Sequence, residues 1–467
     1  GGAASGGGAA SGGGAASGGG TGGTLNLPAW ARVAAIRDVG FSAIVTNALS
    51  FQLANGDIGG LAEKGGLANG TASNGLIPSN GFPDQPTTLT ANQSFTYLTG
   101  QPLKAFHTLP QYASYLVTPS GGLLVLGDNN QGQLPVPTRP SVPSWTDAGV
   151  AQWADGGVGA LVDVFAVTTG RAFALTAGGL WRLPRYSANG SLITPALQRS
   201  GPVAEVHFTK DTSAEGVLVL QRDGVLLAGN LGVLVTTPYV QVMDRVVSSD
   251  LRDGYGNSTY ALAACAVRDD GTLWLNVKPK GADPRVGDFA GVTSATMTQF
   301  TEMTDAAKCI FETSTADTAS LFVIRKSGAL AVYPYDYVHG YPTTPVALSP
   351  TNVAAVRPFG NNRGAFLLDA QGVLSTITFT TALSQPNGAT SAVVASGLLD
   401  GGVVDAVWRK NQNSCSGSNA TGNTFLAQRS DGTLWLMGDS IPFCSLASNT
   451  WVVSPGFVQV ATGLAAP

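Results

Sequence analysis

The feature that most constrains this chain is a hairpin that keeps returning. The stretch RSDGTLWLMGD, from Arg429 to Asp439, reads as strand, tight turn, strand. Its turn is Ser430-Asp431-Gly432, and Asp-Gly supplies the positive φ that a two-residue hairpin needs. The same order of apolar strand, glycine turn and apolar strand occurs at Gly122, Gly179, Gly224, Gly271, Gly328 and Gly372. Counting on to Gly432, the spacings are 57, 45, 47, 57, 44 and 60 residues. A period of that size marks a repeat fold.

Other short apolar segments flank the hairpins. LVDVFAV (161–167), PVAEVHF (202–208), NVAAVRPF (352–359) and GVVDAVW (402–408) precede them. YVQVM (239–243), TSAVVAS (390–396) and FVQVATG (457–463) come after them. Four antiparallel strands in about 50 residues make one propeller blade. The expected fold is therefore all-β: a β-propeller of seven four-stranded blades, or eight, behind a Gly/Ala/Ser-rich arm. Residues 1–24 are the arm and 25–467 the propeller. Seven repeats occupy 101–467, and 25–100 forms an extra blade or a closure segment. Within it, residues 32–61 show strand, strand, turn, strand, with the turn at Asn47-Ala48.

Composition agrees with many short strands and tight turns. Only 12% of residues are charged, and glycine takes 61 of 467 positions. The formal net charge is −4 and no cluster of Lys or Arg is dense enough to track a phosphate backbone, so nucleic acid is not an expected partner. No run of 18 apolar residues exists, so no membrane span is expected. The sequence starts at Gly1 rather than Met, and the expectation is export with a leader removed, to the cell surface or the extracellular space. A lipid anchor just before Gly1 is a second way to hold such a chain at a surface.

The unit with DG-x-L-W in its hairpin and GDNNQGQLP (127–135) after it resembles the repeat of the RCC1-like family, named for the regulator of chromosome condensation. GGLLVLGDNNQGQLP carries the resemblance best; DG-x-L-W stands at 270–274 and 431–435, without the tail. The resemblance spans about residues 100–467 and implies a propeller, typically seven-bladed. Family members include nucleotide-exchange factors and chromatin binders, but no loop here matches theirs. The resemblance implies fold, not function.

The arm reads GGAASGGGAASGGGAASGGGTGG over residues 1–23. Its repeat places Gly2, Ala3, Ala4 and Ser5 in one copy, Gly8, Ala9, Ala10 and Ser11 in the next, and Gly14, Ala15, Ala16 and Ser17 in the third. Two readings stand: a flexible spacer, or an assembly arm that lies on a neighbour as a strand or an extended helix. An arm reaching from one copy to the next makes a heterologous contact, which closes into rings or runs on as filaments.

Four cysteines allow two disulfides. Cys415 and Cys444 lie in connections expected on one face of the last blade, which makes that pair a reasonable bridge. Cys265 and Cys309 fall in strands of consecutive units, as a bridge or as two buried thiols. No C-x-x-C occurs, so zinc is not expected. His107 and His207 sit in first strands and are read as satisfied core histidines. The segment YPYDYVHGYP (333–342) offers Tyr333, Tyr335, Tyr337, His339 and Tyr341 as an interface loop or a packed surface loop. Asp128 and DLRDGYGNS (250–258) lack calcium-loop spacing. No nucleophile elbow, P-loop or H-E-x-x-H is present, so no catalytic, cofactor or metal site is expected.

The functional expectation is an exported structural protein, not an enzyme, that assembles with copies of itself into a filament or surface layer through the arm. The alternative is a surface-anchored binding module for a cell-surface glycan or protein, with the arm as spacer.

Overall fold

A computed structural model describes the strands and tight turns between residues 48 and 461; residues 1–47, 63–95, 98–104 and the longer stretches between strands lie outside the described residues. Everything described is β-structure. From residue 105 onward the strands form a succession of antiparallel sheets, numbered here 1 to 7 in chain order. Their first strands are Ala105–Thr108, Leu161–Thr168, Val203–Phe208, Val246–Gly254, Ala306–Thr313, Val353–Pro358 and Val403–Asn411. Six of these sheets have four strands; sheet 5 has three, with a lone bridge from Val332 to Val346 beside it. Ahead of them a smaller sheet joins Ala48–Gln52, Ile58–Ala62 and Thr96–Tyr97. Its hairpin turns between Gln52 and Ile58. That corrects the turn expected at Asn47-Ala48, where Ala48 instead opens a strand.

The recurring hairpin is built differently from a two-residue turn. Arg429 N–H donates to Thr433 C=O at 2.9 Å and Gly432 N–H to Arg429 C=O at 3.0 Å. Three residues therefore bridge the strands, and Gly432 alone takes the left-handed conformation, at φ 77°. Asp431 serves through its side chain. Its Oδ1 accepts the N–H of Thr433 at 3.0 Å and the Thr433 hydroxyl at 2.6 Å. Trp435 Nε1 then donates to Thr433 Oγ1 at 2.9 Å. Asp270, Thr272 and Trp274 repeat the same relay in sheet 4. In sheet 1 the left-handed residue is Gly121, at φ 83°, one position before the glycine expected from the pattern.

The turns also clasp the next sheet. Gly121, Gly224, Gly271, Gly328 and Gly372 each accept, through their carbonyls, the first N–H of the following sheet: Leu161, Val246, Ala306, Val353 and Val403, at 2.8 to 3.0 Å. At Gly121, Gly271 and Gly372 the fit leaves no room for a side chain. A Cβ at Gly372 would lie 2.7 Å from the Val403 carbonyl oxygen. Near its start, the first strand of every sheet from 2 to 7 carries a bulge, as between Val203 and Glu205 or Val403 and Asp405. A bulge bends the strand and re-aims the side chains beyond it.

The core is a series of layers between successive sheets. Phe173, Leu180 and Val217 join sheets 2 and 3; Leu218, Leu251 and Ala266 join sheets 3 and 4. Val217 and Leu218 are neighbours in sequence and face opposite sheets. This is why second strands such as GVLVLQ and GAFLLD are apolar at almost every position rather than at alternate ones.

Candidate functional site

The side chains that depart most from this apolar plan gather where the first strands of sheets 3, 4 and 5 lie beside one another. Alternate positions in VAEVHF bring Glu205 and His207 to one side of the first strand of sheet 3. The bulge in VVSSDLRDG sets Ser249 and Asp250 opposite them from sheet 4. Glu205 Oε2 accepts both the Ser249 N–H and its hydroxyl, each at 3.1 Å. His207 stands between two carboxylates: Nε2 is 3.5 Å from Glu205 Oε2, and Nδ1 is 3.4 Å from Asp250 Oδ1. Asp250 Oδ2 accepts the Phe311 N–H of sheet 5 at 2.8 Å. The chain of contacts thus crosses three sheets.

Both carboxylates are held by backbone donors of the next sheet, which is the way a buried acid is satisfied. Asp250 is 4% exposed. Among the described residues, no three His, Cys, Asp or Glu side chains converge to hold a metal ion. The arrangement works as a polar joint between sheets. His207 is not a satisfied core histidine: a quarter of its side chain is exposed and Nε2 makes no hydrogen bond. The sequence did carry a signal for the joint, namely polar residues at alternate positions of otherwise apolar first strands.

The covalent link lies at the same level. Cys265, in the second strand of sheet 4, bonds to Cys309, in the first strand of sheet 5, with Cα atoms 6.3 Å apart. Cys265 pairs across its sheet with Asp250. Disulfide and Asp250–Phe311 hydrogen bond therefore fasten the same two sheets within a few residues of each other. Of the other two cysteines, Cys444 sits in a small two-stranded ribbon, Cys444–Ser445 with Thr450–Trp451, and Cys415 lies outside the described residues.

The aromatic loop needs correction. Tyr333 is in the third strand of sheet 5, 1% exposed, with its ring edge-on to Phe300 at 5.0 Å. Burial pushes its hydroxyl above the usual phenol range. Tyr335 continues the strand, opposite Ala319. Neither is a loop residue. Tyr337, His339 and Tyr341 lie outside the described residues, as do all the arm residues from Gly2 to Ser17. In the GDNNQGQLP segment the organising residue is Asn129, fully buried, which accepts the Leu134 N–H and donates to the Val136 carbonyl. The two-residue pairing of Arg185–Tyr186 with Leu192–Ile193 adds a ribbon to the third-to-fourth connection of sheet 2, matching the one at Cys444 in sheet 7.

No protein-family model matches the chain, and no curated protein does. Similar solved structures include human WBSCR16, at 12% identity over 63% of this chain and 81% of that one, with a TM-score of 0.39. Yeast RCC1 (Prp20), solved with Kap60 bound, matches at 12% identity over 72% and 83%, with a TM-score of 0.40. PorZ, a surface component of the type-IX secretion system of Porphyromonas gingivalis, matches at 12% over 85% and 44%, with a TM-score of 0.34. The resemblance to RCC1-family structures is one of fold and says nothing of activity.

Proposed function

We propose that this chain is an exported structural protein: a propeller of seven sheets closed on themselves, which assembles with copies of itself through the Gly-Ala-Ala-Ser arm. The observation that carries the reading is the Cys265–Cys309 bridge, buried between two sheets. Disulfides of this kind persist in oxidising compartments. The clasps and the polar joint add to a scaffold whose sheets are fastened repeatedly, which suits a subunit under mechanical load outside the cell. The arm, with a repeat of six residues, keeps the same residues on the same face of an extended strand. Electron microscopy of the full chain beside a version lacking residues 1–23 tests the reading. Ordered polymers from the full chain alone support it. Single particles from both would end it.

A second reading, a binding module held at a surface by the arm, draws on the ribbons of sheets 2 and 7. They depart from the repeat at the same connection, and Leu192 in one of them is 51% exposed. Glycan and protein arrays probed with the full chain test it.

A further inference from the structure

We infer that His207 is a proton-operated fastener between sheets 3 and 4. Its operation depends neither on export nor on the arm. Both ring nitrogens stand against carboxylates. Nε2 lies 3.5 Å from Glu205 Oε2 on its own strand, and Nδ1 lies 3.4 Å from Asp250 Oδ1 on sheet 4. A neutral imidazole carries one N–H, so in either tautomer it donates to one carboxylate and turns a lone pair to the other. An imidazolium carries two and donates to both. Only the protonated ring satisfies the geometry on both sides. Both separations also exceed the ~2.7–2.9 Å of a closed charge-assisted bond, so ring and carboxylates have room to draw together.

The effect of the proton passes beyond the ring. Each carboxylate holds a backbone N–H of the next sheet: Glu205 Oε2 that of Ser249, and Asp250 Oδ2 that of Phe311. Asp250 sits across its sheet from Cys265, whose bond to Cys309 fixes sheet 4 to sheet 5 covalently. Among the described residues no disulfide joins sheets 3 and 4. The boundary between sheets 3 and 4 is therefore the freer of the two, and the imidazolium closes it.

The charged groups around the ring are few. GVLVLQ, beside it in sheet 3, carries no charge. Sheet 5 turns Cys309 and Phe311 toward sheet 4, and Lys308 and Glu312 alternate with them. Asp163 of sheet 2 pairs with Leu175, in the layer on the other side of the strand. On sheet 4, Arg252 and Asp253 follow Asp250. A quarter of the His207 side chain is exposed, so protons reach it. Histidine is the side chain that ordinarily changes charge between about pH 5 and 8. A group that gains partners on protonation adds stability on the acid side and withdraws it as pH rises. Mild acid thus tightens the joint, and mild alkali relaxes it.

Amide hydrogen exchange of the full chain, corrected for the intrinsic rate, is measured at about pH 5.5 and about pH 7.5. The Ser249 N–H is expected to be about three- to tenfold better protected at the acid pH. The Val403 N–H, at the clasp between sheets 6 and 7, should keep the same protection. In His207→Gln the acid gain at Ser249 should vanish. Equal protection of Ser249 at both pH values in the unaltered chain overturns the fastener. So does a gain that survives in His207→Gln, or one shared equally by Val403. Should His207→Gln fail to fold, imidazole NMR of the unaltered chain decides. At the acid pH both ring N–H groups of His207 are expected to be protected from exchange with water. Exchange as fast as that of a free imidazolium overturns the fastener.

Discussion

The backbone N–H of Val403 donates to the carbonyl of Gly372 at 2.9 Å, tying the first strand of sheet 7 to the turn of sheet 6. Gly372 stands at φ 76°, and an added Cβ would meet three backbone atoms of Gly402 and Val403 at 2.7 to 2.8 Å. Gly372→Ala therefore meets both a disfavoured backbone conformation and a wall of main chain. The expected loss is about 2–4 kcal/mol, since strain and displaced backbone add. Denaturant unfolding of the full chain checks it. Gly456→Ala, where no atom lies within 4 Å, is the control and should change little.

The Cys265–Cys309 bond closes a loop with a sequence separation of 44. In the chain-entropy account a loop of that length is worth about 4 kcal/mol. The double variant Cys265→Ala, Cys309→Ala is expected to unfold at clearly lower denaturant, as is the reduced wild type. The apolar layer around Phe311 and Leu321 should keep the variant folded at room temperature. An unchanged midpoint would mean that the reduced chain is held equally well by the Asp250–Phe311 contact.

Thr433 is the hub of a relay from Trp435 to Asp431. Thr433→Val removes the acceptor of the indole N–H and one donor to the carboxylate. A loss of about 1 kcal/mol is expected. The Thr433 hydrogen bonds hold the Asp431 carboxyl below its ordinary value of 3.8. Thr272 does the same for Asp270. A lowered folded-state pKa contributes stability that is complete above the unfolded value and is lost as pH falls through the folded one. Stability should thus decline below about pH 4. In the double variant Asp270→Asn, Asp431→Asn the decline should be shallower. Both carboxylates are largely exposed, so solvent screening keeps the difference small.

Tyr333 separates a core role from an interface role. Its ring fills space beside Phe300 and Phe311 between sheets 4 and 5. Tyr333→Ala should cost about 3–5 kcal/mol, and Tyr333→Phe far less. Equal stability of wild type and alanine variant in thermal unfolding would contradict the burial.

The hairpins, their order and the fourth strands at 240–243, 392–399 and 454–461 were readable from the sequence because alternation and glycine turns are local signals. What acts across sheets was not. Gly432 could be picked out for its φ, but nothing near it in sequence indicates that its counterparts receive an N–H from the next sheet. Asp431 reads as a turn former, while its bond to the Thr433 hydroxyl depends on a rotamer. Glu205, Ser249, Asp250 and Phe311 come from three repeats, the outermost more than 100 residues apart, so their meeting depends on how sheets stack. The two cysteines left a bridge and a thiol pair equally open, because only the 6.3 Å approach of their Cα atoms decides between them.

The clasp also determines what can be copied. Each one ties a turn in one repeat to the opening residue of the next, so the interchangeable segment runs from turn to turn and straddles two sheets. A chain that gained or lost one such segment would keep the partners of every remaining clasp, whereas a cut at the border of a sheet would break one. In a closed ring the angles between sheets must still sum to a full turn, so a change in the number of sheets would reset the angle at every joint while its clasp stayed paired.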